Sequence, residues 1–322
     1  MARTYLATPL DRFVQRSPAA QKTIWAIEYA GLAAFWGLCS ILPVRWASAI
    51  GYRVIWTIAP RLSKFRHSIN NLSVAFPDKS ADEIAALARD TWGSMGRVLA
   101  EYPHVEALSS RGDDKGTELI IDSEVQALLD AGKPIMFVTA HIGNWELCAG
   151  VIARRLAAPL SVIYSAQQNP FIGNAMLRMR KRLGCGLIEK AGAMRGVMKE
   201  LSRGSNVGML IDTRADEGEA LPFFGVDAMT SLMPARMALR MKVPVVPLRV
   251  ERCEGATFRV RFFKPIDVDR AQGDDRAVAL QITREILSHY EAWIKDKPGD
   301  WLCAKRRWPK QAKRAEPQTK VA

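Results

Sequence analysis

Short apolar runs alternate with stretches of helical period through the middle of this chain, and that alternation limits the fold more than any other feature. PIMFVTA (134–140), LSVIY (160–164), VGMLI (207–211) and VPVVPLRV (243–250) are of strand length and apolar almost throughout. A strand with no polar side has to be covered on both faces, and helical crossovers between parallel strands supply that cover. WELCAGVIARRLA (145–157) and Asn169 to Leu183 are the helices predicted between them. TFRVRFFKP (257–265) alternates apolar and polar positions, as a half-exposed strand does. Ser80 followed by Glu83 is a capping box opening a helix that runs to Tyr102, and Gln281 to Lys295 predicts a C-terminal helix. The expected fold class is α/β, with a central, mostly parallel sheet flanked by helices.

The N-terminal region is of a different kind. IWAIEYAGLAAFWGLCSILPV (24–44) is 21 residues long with Glu28 as its only charge, and about 20 such residues suffice to cross a bilayer core. Trp25, Tyr29 and Trp36 suit the lipid–water interfaces. A signal peptide cleaved near Ala47–Ala49 and a buried core helix are the alternatives, but the length of the run and of what precedes it favours a hydrophobic membrane helix. Arg12, Arg16 and Lys22 precede it while Arg45, Arg53 and Arg61 follow, so charge gives no orientation and also suits a helix that dips in without crossing. WASAIGYRVIWTIAP (46–60) reads as a second, surface-seeking amphipathic element. The partition expected is a membrane-associated helical segment over 1–60, one α/β domain over 61–310 and a disordered tail over 311–322.

The net charge of +13 calls for a polyanionic partner. Eight basic residues against Glu189 and Glu200 lie between Pro170 and Arg203, and seven against Glu316 follow from Lys305. Nucleic acid is not the expected partner, because RMRKRLG (178–184) has no interleaved aromatics and no nucleic-acid-binding signature. The five cysteines are scattered, with no C-x-x-C pair, which speaks against a disulfide framework or a zinc site and fits a reducing compartment. There is no H-E-x-x-H either, so no metal is expected.

The chemistry concentrates where the first apolar run ends. His141 follows PIMFVTA at what should be a strand's carboxyl end, where open α/β sheets bind ligands. Gly143 and Asn144 permit a tight turn, and Glu146 falls in the first turn of the next helix. A histidine with a carboxylate beside it can act as a general base, whereas a histidine at a strand end can also be ordinary.

The words around it are more specific. TAHIGNWEL (139–147) resembles the H-x-x-x-x-[DE] motif of the lysophospholipid acyltransferase superfamily and, within it, the late lauroyl/myristoyl acyltransferases of lipid A biosynthesis. NLSVAFP (71–77), Asn169-Pro170 followed by RMRKRLG, IDTRADEGEALPFFG (211–225) and WLCAKRRW (301–308) are similar to further elements of that family. The chain departs from it at Ser165, where the family has an arginine, at Thr213 after Asp212, and at Cys303.

The resemblance implies transfer of a fatty acyl chain from a thioester, on acyl carrier protein, to a hydroxyl of an anionic lipid A precursor, without a cofactor. It implies an inner-membrane location with the catalytic domain facing the cytoplasm. His141 would be the base, with Glu146 or Asp212 as its carboxylate partner, and Asn144, Arg178 and Arg180 would bind substrate or the oxyanion. Other glycolipid acceptors, such as phosphatidylinositol mannoside, fit the same motif. A non-catalytic basic protein of the membrane surface is the reading from a different class.

Overall fold

The structure, a computed structural model, describes residues 17–113, 116–267 and 274–309. Arg12, Arg16 and the tail from 311 lie outside the described residues. In chain order the strands are β1 (Thr117–Ile121), β2 (Met136–Thr139), β3 (Leu160–Tyr164), β4 (Gly186–Glu189), β5 (Asn206–Leu210), β6 (Glu219–Phe223), β7 (Val226–Thr230), β8 (Val245–Arg252) and β9 (Phe258–Phe262). β6 and β7 form a separate hairpin, and the others make one seven-stranded sheet ordered β1-β9-β8-β2-β5-β3-β4. β8, β2, β5, β3 and β4 run parallel. β9 is antiparallel to β8, and β1 is parallel to β9.

The described helices are α1 (Pro18–Ile41), α2 (Val44–Ile58), α3 (Phe65–Ala75), α4 (Ala81–Glu101), α5 (Val105–Ser110), α6 (Ser123–Asp130), α7 (Leu147–Gly150), α8 (Pro170–Arg182), α9 (Ala193–Ser202), α10 (Met233–Met241) and α11 (Asp275–Asp296). They cover both faces of the sheet. Met136 and Val138 of β2 enter one apolar cluster with Leu72, Ile84 and Ile286, while Phe137 enters the other with Leu108, Val246 and Phe258. All four residues of β2 are buried, as a strand covered on both faces requires. On β9, Phe258, Val260 and Phe262 are buried and Arg259 and Arg261 are not, which is the alternation read from the sequence.

Local signals account for several helix starts. Ser80 accepts the Glu83 amide, and Glu83 Oε2 accepts the Ser80 amide at 2.8 Å, completing the capping box of α4. Asp274 caps α11, so that helix begins six residues before the Gln281 expected from periodicity. The helix expected over 145–157 is broken up. α7 is one turn, and Val151–Arg155 continues as a π-helix in which the Leu156 amide reaches back to the Val151 carbonyl.

The N-terminal helices pack on this body. Gly51 of α2 and Gly96 of α4 face one another so closely that a Cβ on Gly51 would lie 2.4 Å from the Gly96 carbonyl oxygen. Gly51→Ala should therefore cost about 1–3 kcal/mol in urea unfolding. Gly37→Ala, on a face of α1 with nothing within 4 Å, should be neutral or stabilising, because alanine is the better helix former.

Candidate active site

Strand register builds the site. β2 and β5 are parallel neighbours, pairing Met136 with Val207 and Thr139 with Leu210. Continued two residues past each strand, the same register sets His141 opposite Asp212. Their side chains meet, with Nδ1 of His141 2.7 Å from Oδ1 of Asp212. Asp212 is 1% exposed and His141 27% exposed. The second oxygen of Asp212 accepts the Trp301 indole N–H at 3.1 Å. Burial alone would raise the Asp212 carboxyl, but the charge and hydrogen bonds of His141, with the Trp301 indole, hold it below the ordinary carboxylate range. Asp212 thus fixes the imidazole at Nδ1 and leaves Nε2 as the nitrogen available at the open edge of the ring. Trp145 packs edge-on against that ring, with centroids 5.1 Å apart.

The backbone around His141 is held as tightly. Leu302 N–H donates to the His141 carbonyl at 2.8 Å, and Gly143 N–H donates to the Asp300 carbonyl at 3.2 Å. Ile142 and Trp301 form an isolated antiparallel bridge, so residues 300–302 act as a strap along the loop. Gly143 has φ +58°, and a Cβ there would sit 2.2 Å from the Val250 carbonyl oxygen. Both the turn and the close approach require glycine.

The other expected site residues lie apart from His141. Of the two carboxylates left open as its partner, Asp212 makes the contact, and Glu146 is turned toward Arg180. Arg180 Nε and Nη2 donate to Glu146 at 3.0 and 2.5 Å, and the Tyr102 hydroxyl adds a 3.4 Å bond. Burial opposes the Arg180 charge, yet the Glu146 carboxylate holds its pKa above the ordinary arginine value. Asn144, expected to touch substrate, is fully buried, and its amide donates to Glu101 at 2.8 Å. Glu101 is itself fully buried, gripped by two nitrogens of Arg252 at 2.6 and 2.8 Å and by the Ser48 hydroxyl at 2.6 Å. Arg178 is exposed on α8.

Three participants carried no signal of their own in the sequence. Trp301 belongs to the WLCAKRRW stretch, but its bond to Asp212 spans 89 residues. Tyr290 of α11 donates to the Thr139 carbonyl at 2.6 Å, anchoring the end of β2. Lys305 lies within electrostatic reach of Asp212. Burial and then the ammoniums of Lys190 and Lys64 hold its pKa below the ordinary lysine value, while Asp212 acts in the opposite sense. Lys305 thus stands between two like charges and the Asp212 carboxylate. Phe223 and Phe224 are core residues, stacked among Trp301 and Trp308. Among the described residues no cluster of His, Cys, Asp or Glu could hold a metal.

Arg180→Ala leaves the buried Glu146 carboxylate uncompensated and should cost roughly 3–5 kcal/mol of stability by denaturant titration. Because folding depresses the Asp212 carboxyl, the stability it contributes is complete above its unfolded pKa of about 4 and is lost as the pH falls through the folded value. Asp212→Asn should accordingly flatten the fall of the urea midpoint below about pH 4, measured against the unchanged chain.

Comparison with known proteins completes the picture. Residues 14–310 match the family described as bacterial lipid A biosynthesis acyltransferase. A phosphatidylinositol mannoside acyltransferase of Mycolicibacterium smegmatis is 22% identical over 285 residues, covering 86% of this chain and 90% of that protein. The lipid A biosynthesis myristoyltransferase of Escherichia coli K12 is 23% identical over 274 residues, covering 80% of each. The crystal structure of a 1-acyl-sn-glycerophosphate acyltransferase from Thermotoga maritima covers 78% of this chain and 95% of its own, at 12% identity and a TM-score of 0.35. With every described residue inside the match, this protein belongs to the bacterial lipid A biosynthesis acyltransferase family and is an acyltransferase.

Proposed function

We propose that the protein moves a fatty acyl chain from an acyl carrier protein thioester to a hydroxyl of a phosphorylated lipid A precursor, at the cytoplasmic face of the inner membrane. The observation that carries this reading is the His141–Asp212 pair at the carboxyl ends of β2 and β5, with the imidazole partly open to solvent. In the reaction, Nε2 of His141 takes the acceptor hydroxyl proton as the oxygen attacks the thioester carbonyl. The tetrahedral oxyanion collapses, the C–S bond breaks, and the departing thiolate takes the proton from Nε2. Asp212 holds Nδ1–H throughout and stabilises the imidazolium formed between the two transfers. No electrons change hands and no cofactor is needed.

Lys305, which feels Lys64, Lys190 and Asp212 together, supports an acceptor that carries phosphate. Arg180 is committed to Glu146, so Arg178 is the arginine of α8 that we assign to the anionic donor or acceptor, and Glu146, Arg180 and Asn144 position the loop rather than touch substrate. The surface excess of basic residues suits acyl carrier protein, which is acidic, and anionic inner-leaflet lipid.

A second acceptor is favoured by one finding, the similarity to a phosphatidylinositol mannoside acyltransferase over 86% of the chain. Lipid mass spectrometry separates the two. Cells lacking the protein, or carrying His141→Ala, should lose one acyl chain from lipid A, with wild type alone restoring it. Loss from another glycolipid instead would change the acceptor and keep the chemistry. In purified protein His141→Ala should lower the rate by about 10²–10⁴-fold, the size of a general-base contribution. A variant that kept full rate would overturn the mechanism.

A further inference from the structure

The β4 end of the sheet carries charge that the fold does not use. Strand register brings four strand ends to one height. Thr139 of β2 pairs with Leu210 of β5, β5 pairs with β3 at Gly208 and Val162, and Tyr164 of β3 pairs with Glu189 of the edge strand β4. Lys190 follows directly, its amide donating to the Tyr164 carbonyl at 2.9 Å. It therefore stands on the same rim as His141 and Asp212, three strand spacings or about 14 Å from the end of β2. From Ala193 the chain turns back as α9, which crosses over this end of the sheet. A Cβ on Gly196 of α9 would lie 2.7 Å from Cγ2 of Ile188 in β4.

α9 has two unlike sides. Ala193, Val197 and Leu201 are buried in the core. Arg195, Lys199 and, at its cap, Arg203 recur every fourth residue and are all exposed. Among the described residues neither Arg195 nor Lys199 has an ion-pair partner, and Arg203 has Glu200 at 3.8 Å. The first turn holds Arg195 and no acid, although a cation there opposes the helix dipole and like charges four residues apart weaken a helix. The stripe thus costs α9 stability, and only a partner outside the chain gives it a use. A membrane surface would be met by aromatic and bulky apolar anchors, and a nucleic acid by stacking rings. Residues 186–205 contain no aromatic side chain, and Met194, 52% exposed, is the large apolar residue at the rim. The surface complementary to such a stripe is that of an acidic protein.

We propose that the acidic carrier protein bringing the acyl thioester docks on the outer side of α9, over Arg195, Lys199 and Arg203, with Met194 and Lys190 at the end nearest the reactive pair. This rests on the carrier-thioester reading above and adds where that donor sits. A carrier protein presents its thioester on a flexible arm, so its docking surface belongs beside the reactive pair and not over it. The rim supplies the path between them. Lys190 lies within electrostatic reach of Lys305, which in turn feels Asp212, so positive potential runs from the stripe to the pair.

The test compares full-length wild type with Arg195→Glu/Lys199→Glu, whose two positions are exposed, so the melting temperature should not fall. The variant should raise KM for acyl-[acyl carrier protein] about tenfold, with kcat and the KM of the lipid acceptor unchanged. Turnover of the same acyl chain on coenzyme A, which needs no protein docking, should not move. Lys133→Glu/Lys242→Glu, the same change of charge at the amino ends of β2 and β8, should leave every constant as it was. A carrier protein with surface acids changed to lysine should regain affinity for the variant and lose it for wild type. An unchanged KM, or an equal rise for both donors, would overturn the proposal. So would weaker flotation of the variant on phosphatidylglycerol vesicles with carrier affinity intact, which would assign the stripe to lipid. Direct binding of the holo carrier protein is measured without turnover, and the variant should weaken it about tenfold. Wild type that binds no carrier protein yet acylates from coenzyme A would end both the donor assignment and the docking site, and leave transfer through His141 standing.

Discussion

Neighbouring parallel strands carry whatever follows them to the same height, and the His141–Asp212 contact depends on that constraint. β2 and β5 keep one register from Met136–Val207 to Thr139–Leu210, and His141 and Asp212 are its continuation. A slip of one residue would turn every side chain to the other face. Met136 and Val138 would then trade places with Phe137, and both apolar clusters would lose their fit. Core packing therefore sets the distance within the His141–Asp212 pair. The 2.7 Å contact needs no device of its own beyond the burial that already holds the sheet together.

Around that contact the protein spends buried charge on keeping one loop still. Glu101 with Arg252 secures Asn144, Arg180 secures Glu146, and Trp301 secures Asp212. Buried ion pairs add little net stability compared with apolar packing, so their value here lies in position. Each ties a different residue of the His141 loop, or its partner, to a separate part of the chain. Preorganised polar groups of this kind lower the reorganisation a charged transition state would otherwise demand.

The sheet was largely legible because its central strands are buried on both faces and read as unbroken apolar runs. The strands that escaped notice have physical reasons to. β1 and β4 are edge strands whose residues are mostly part-exposed or exposed, and the β6–β7 hairpin has Pro222 inside a five-residue strand, where a proline argues against one. His141 and Asp212 were legible as candidates, but the pairing was not. Glu146 is nearer in sequence, and only the one-turn length of α7 with Arg180 arriving from α8 shows where it points. Asn144 was expected to bind substrate or the oxyanion only through the family resemblance. Its burial depends on Glu101, 43 residues upstream, which no local pattern links to it. The N-terminal segment was legible as apolar, yet its one-sided attachment depends on the Asn169 cap far along the chain.

The strap at residues 300–302 makes two distant segments answer to each other. It supplies the Trp301 bond to Asp212 and the backbone partners of His141 and Gly143. The loop after β2 and the segment after α11 therefore loosen together or not at all. Fraying of the strap would be felt at His141 while the seven-stranded sheet behind it stayed intact.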